Sequence, residues 1–104
     1  MKTEAEIYLE YETAIAQADS LARSAGDMEK TLGEGLMEVT GRTASFWKGE
    51  GASLFSSGCS ALYEDISEKA QALQAVSETV RLIAQNIYEA EMRALSIAAD
   101  GVTE

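Results

Sequence analysis

The sequence predicts an all-α protein, an antiparallel two-helix hairpin that dimerises into a four-helix bundle. Three observations predict it. Apolar or small residues recur at alternating steps of four and three in both halves of the chain. A glycine-rich stretch without proline separates the halves. A second apolar row flanks the first, wider than one hairpin covers.

The first helix is expected over about residues 3–40. Thr3 followed by Glu6 fits a capping box, in which a hydroxyl and a carboxylate satisfy free amides at a helix start. The apolar row then runs through Ile7, Tyr11, Ala14, Ala18, Leu21, Ala25, Met28, Leu32, Gly35 and Val39, a heptad pattern held over four heptads. Gly33 and Gly35 weaken its last turns by about 1 kcal/mol each against alanine.

The turn is expected over about 41–49, around the single tryptophan, in Trp47-Lys48-Gly49. A tryptophan at a helix corner can plug the end of a bundle, and a glycine can take a backbone conformation closed to other residues.

The second helix is expected over about 50–98, followed by a flexible C-terminal tail. Its row reads Phe55, Cys59, Leu62, Ile66, Lys69, Leu73, Val76, Val80, Ile83, Ile87, Ala90, Ala94 and Ile97, broken only by Lys69. At 1.5 Å per residue such a rod is roughly 70 Å long, so the two rods must fold back on each other. Folding the chain about Trp47 pairs Leu21 with Leu73, Ala18 with Val76, Ala14 with Val80, Ile7 with Ile87 and Gly35 with Cys59. Lys69 then falls opposite Ala25, where a small partner leaves its stem room. Tyr8, Ile15, Ala22, Leu36, Tyr63, Ala70, Ala84 and Ala98 flank this seam and widen the apolar face. A face of that length is an association surface, and two hairpins bury it most simply. Tyr11, Leu21, Leu32, Phe55, Leu62, Leu73, Val80 and Ile87 are the expected hairpin or dimer packing residues.

The 104 residues are expected to form a single domain, and the net charge of −10 argues against nucleic acid and anionic membrane surfaces. The N-terminal residues hold no apolar signal-peptide core, and no run of about 18 apolar residues is present to span a membrane. Histidine is absent, which removes the commonest acid–base group and metal ligand. Glu64-Asp65 and Glu89 with Glu91 are carboxylate pairs, but a hairpin offers no cleft for glycosidase chemistry, so they are expected on the solvated surface. Cys59 reads as a small core residue, and the methionines as core filler. No enzymatic activity, metal or cofactor is expected.

A central Trp47-Lys48-Gly49 between two heptad helices, with Phe55 eight residues after the tryptophan, resembles the WXG family of small type VII secretion proteins, the early-secreted-antigen-target type. The resemblance covers essentially the whole chain, and Phe55 stands at an aromatic position common in Gram-positive members. It implies a secreted substrate, or an adaptor that escorts a larger toxin to the membrane ATPase. It implies export without a cleaved signal peptide from the cytoplasm, and pairing with itself or a related WXG protein. The family's C-terminal export signal is a tyrosine with an acidic residue four places on. Here Tyr88 is followed by Glu91 three places on, and both spacings put the carboxylate on the tyrosine's face of a helix. A cytoplasmic coiled-coil interaction module with no part in export is the alternative.

Overall fold

The computed structural model describes residues 2–102, and among these every regular element is a helix. Helix α1 spans Glu4–Met28, one π-helical turn spans Glu29–Gly33, α2 spans Glu34–Phe46, and α3 spans Glu50–Val102. Thr3 opens α1 as expected: its hydroxyl accepts the Glu6 amide at 3.1 Å, and its carbonyl accepts the Ile7 amide at 3.0 Å. The helical run goes on to Phe46 rather than ending near residue 40, which leaves a three-residue turn, Trp47–Gly49. At the far end α3 goes on to Val102, because alanines at 98 and 99 favour helix where a flexible tail was expected. Residues 103–104 of that tail lie outside the described residues.

Contacts group the chain into two compact units, one combining Met1–Leu21 with Ala75–Glu104, the other Ala22–Gln74. In the first, the terminal unit, the start of α1 and the end of α3 run antiparallel: Lys2 reaches Glu91, and Ala18 meets Ser77. Ile7, Ala18, Ser77 and Ala84 are its buried residues. The Ser77 hydroxyl donates to the Ala18 carbonyl at 2.7 Å, and Arg81 forms an ion pair with Asp19. Ser77 therefore stands where Val76 was expected.

The second, central unit is a helical hairpin closed by the turn. Ala25, Gly33, Cys59 and Ala70 are buried in it, and the Gln74 amide donates to the Ala22 carbonyl at 3.1 Å. Lys69 does not face Ala25. It is exposed and pairs with Asp65 at 2.9 Å one helical turn back, while its neighbour Ala70 is inside.

These corrections share one cause. Between Cys59 and Ala84 of α3 the covered row is Cys59, Tyr63, Ile66, Ala70, Leu73, Ser77, Val80 and Ala84, with Ser67 and Arg81 partly covered beside it. Cys59, Ile66, Leu73 and Val80 belong to the expected row; its other half, Leu62, Lys69, Val76 and Ile83, is replaced by the next residue along. Small side chains let two helix backbones approach closely, and at that distance Ser77 and Gln74 reach carbonyls of α1.

The first half of the chain deviates once. Its covered positions include the expected row from Ile7 to Met28 and then Gly33, Leu36, Thr40 and Thr43, one place beyond that row, with Ile15, Asp19, Ala22 and Gly35 partly covered beside them. The π turn holds one residue more than an α turn and so advances the phase by one. Leu32 and Val39, expected inside, are half exposed. Gly33 takes the seam position instead, because the Tyr63 ring lies there: a Cβ on Gly33 would stand 2.9 Å from Tyr63 Cε2.

Candidate functional site

Three surfaces hold most of the residues singled out in the sequence: the turn, exposed residues on α3, and a groove in the terminal unit.

At the turn, Trp47 leaves the helix with φ −114° and ψ 120°, and its amide still donates to the Thr43 carbonyl at 2.9 Å. Lys48 Nζ donates to the Ala44 carbonyl at 2.8 Å, a cation satisfying a free carbonyl at the end of α2. Gly49 has φ +108°, a conformation that side chains rarely adopt, and its carbonyl accepts the Ser53 amide at 3.0 Å in the first turn of α3. The Trp47 and Phe55 rings pack with centroids 5.6 Å apart at an angle of 47°. Gly51 passes beneath the tryptophan, where a Cβ would stand 3.3 Å from Trp47 Cζ2. The ring is nonetheless 42% exposed. It clamps the corner against Phe55 and keeps part of its face open. A cavity of about 250 Å³ beside it is lined by Thr40, Thr43, Trp47, Ser53, Phe55 and Ser56, among others.

The outer row consists of large apolar residues that the hairpin leaves uncovered. Leu62 is 50% exposed, Val76 50%, Ile83 52% and Ile97 70%. Val76, Ile83 and Ile97 fall seven and fourteen residues apart, so within the terminal unit they line one stripe of α3, and Leu62 belongs to the central unit. Phe55 of the central unit and Ile87 of the terminal unit are also exposed. Of the expected packing residues, Tyr11, Leu21, Leu73 and Val80 are half-buried, while Leu32, Phe55, Leu62 and Ile87 are exposed.

The groove brings Tyr88 and Glu91 together with Ile7 and Tyr11 of the expected row, and with Lys2 and Glu10, which the sequence did not mark. The Tyr88 ring lies 4.7 Å from that of Tyr11, centroid to centroid. Glu91 accepts from Lys2 Nζ at 3.3 Å, and Glu10 accepts from the same ammonium at 2.6 Å. The two carboxylates raise the Lys2 pKa above the ordinary lysine value, Glu10 more than Glu91. Ile7, Ala14, Ala84 and Ile87 complete the lining of a cavity of about 360 Å³. Periodicity does not reveal Lys2 and Glu10, because their contacts depend on which turns of α1 and α3 lie side by side.

No family model matches this chain, and neither a curated protein nor a solved structure does. The geometry therefore carries the functional argument. Glu64, Asp65 and Glu89 are exposed. Cys59 is buried and free. Among the described residues, no group of three or more acidic, cysteine or histidine side chains is placed to hold a metal ion, and no helix is long and apolar enough to cross a membrane. The turn can present a half-open aromatic pair, the outer row can take an apolar helix face, and the groove can hold a cation.

Proposed function

We propose that this chain is a non-enzymatic helical-hairpin protein of a type VII secretion system. It is either a secreted substrate or an adaptor for a larger toxin, and it works as one half of a four-helix bundle. The second half is another copy of the chain or a related WXG protein. The observation that carries the pairing is the outer row of α3: large residues at heptad spacing are at least half exposed, while the buried positions of the same helix are the small Cys59, Ala70, Ser77 and Ala84. A second hairpin lying on that row would remove the large side chains from water, at about 25 cal/mol per Å² of apolar surface covered. The type VII assignment rests on the Trp47-Lys48-Gly49 turn, with its positive-φ glycine and its tryptophan set against Phe55. In this reading Tyr88 and Glu91 form the export signal read by the membrane ATPase, and the chain is cytoplasmic until it is exported.

Sedimentation of the purified chain at micromolar concentration tests the pairing. A dimer is expected, and Val76→Glu with Ile83→Glu should give a monomer that stays helical, because neither residue belongs to the seam. A wild-type monomer would remove the homodimer, and a monomer that pairs only with a chain encoded beside it would make the partner a relative. Detection in the medium of unlysed cells tests export. Retention inside the cell would leave the cytoplasmic coiled-coil module as the reading.

A further inference from the structure

Within the terminal unit two carboxylates from different helices converge on one ammonium. Glu10 belongs to α1 and Glu91 to α3, and Lys2 Nζ lies 2.6 Å from the first and 3.3 Å from the second. Beside them the Tyr11 and Tyr88 rings pack on each other, centroids 4.7 Å apart, and line the same groove. The bed of the groove is apolar, built from Ile7, Ala84 and the exposed Ile87. The arrangement therefore recognises a cation carried next to an apolar group. At present the chain's own Lys2 supplies that cation, from the lead before α1 and with its side chain 45% exposed.

We propose that this groove docks a basic segment of a partner protein. A Lys or Arg side chain of the partner takes the place of the Lys2 ammonium, and an apolar neighbour in the segment lies on Ile7 and Ile87. Charge selects the occupant. Glu4, Glu6, Glu12 and Glu89 stand near Glu10 and Glu91 in sequence, against Lys2 and Arg93, in a chain of net charge −10. A second copy set groove to groove would bring the same acidic residues to this place and be repelled, whereas a basic segment is drawn in. A free small amine would leave the apolar bed uncovered. Lys2 acts as an internal competitor and lowers the partner's apparent affinity by the fraction of time it holds the site. The inference is independent of export, because it concerns binding by the purified chain.

The probe is a fluorescein-labelled peptide of alternating lysine and leucine, titrated into the full chain and followed by anisotropy. Glu10→Gln with Glu91→Gln should weaken binding by about tenfold or more, since the cation loses both charged partners. Lys2→Ala should strengthen it several-fold. Glu64→Gln with Glu68→Gln makes the same change in net charge on exposed residues of the central unit, and should leave binding nearly unchanged. Circular dichroism of each variant checks that the helices persist. Equal losses from the two double variants would overturn the proposal, because attraction to net charge alone would then suffice. It would also be overturned if a glutamine–leucine peptide bound as well, if Lys2→Ala bound no peptide, or if lysine amide alone competed as strongly as the peptide.

Discussion

Gly33 and Gly35 stand two residues apart in the same helical run, and the structure assigns their alanine substitutions opposite signs. Alanine in a helix interior is favoured over glycine by about 1 kcal/mol, because glycine surrenders more backbone freedom on folding. At Gly35 nothing lies within 4 Å of an added Cβ, so Gly35→Ala should stabilise by about that amount. At Gly33 the added carbon would meet Tyr63 Cε2 at 2.9 Å and Cδ2 at 3.3 Å. Tyr63 is half-buried in the seam, and its ring moves aside only by giving up its own packing. Overfilling of this kind costs about 1–3 kcal/mol, so Gly33→Ala should destabilise by about 1 kcal/mol after the propensity gain is subtracted.

The two variants should thus differ by about 2 kcal/mol, or roughly 8–16 °C in midpoint for a domain of this size. Urea and thermal melts followed by circular dichroism measure this, at one fixed protein concentration because association shifts the midpoint. In a Tyr63→Leu background the ring edge is gone, and Gly33→Ala should turn from harmful to neutral or stabilising. If Gly33→Ala stabilised as much as Gly35→Ala, the close approach and the phase shift at the π turn would both be wrong. The unshifted row, with Leu32 and Gly35 in the seam, predicts the reverse order.

Trp47→Ala should cost about 2 kcal/mol, below the 3–5 of a fully buried ring, because 42% of the residue is already exposed. A loss near 4 kcal/mol would mean that a partner covers the ring, and no loss would reject its role at the corner. Glu10 and Glu91 raise the Lys2 pKa, so what this pairing contributes is present below the ordinary lysine value of 10.5 and is lost as pH rises through the raised value. The difference in melting temperature between wild type and Lys2→Met should accordingly stay level at neutral pH and close in strongly alkaline solution; a difference that persisted there would belong to the lysine stem. Under the proposed function, Tyr88→Ala and Glu91→Ala should each leave association unchanged and reduce export, as quantified in culture medium. Normal export of both would place the signal elsewhere or remove the chain from type VII substrates.

Local chemistry made much of the fold legible. Thr3 with Glu6 marks a helix start, glycine at position 49 permits the positive φ of the turn, and two heptad rows around a short break require antiparallel packing. The choice of inward face was not legible. Cys59, Ile66, Leu73 and Val80 recur every seven residues, and a helix can complete such a set with the residue three places on or the one four places on. Hydrophobicity favours the first completion, Leu62, Val76 and Ile83; the hairpin uses the second, Tyr63, Ala70, Ser77 and Ala84. Large side chains at every seam position would hold the two helices apart and leave the gap open to water. Small ones bring α3 close enough for Ser77 to reach the Ala18 carbonyl. The π turn was not legible for a related reason: the Tyr63 ring that excludes a side chain at Gly33 comes from far along the chain. Apolar pattern in a sequence counts every burial the chain achieves, whether in its own seam or against a partner. Where the most deeply buried positions of a hairpin's seam are mostly alanine, serine and glycine, the large residues left over mark where to look for the partner.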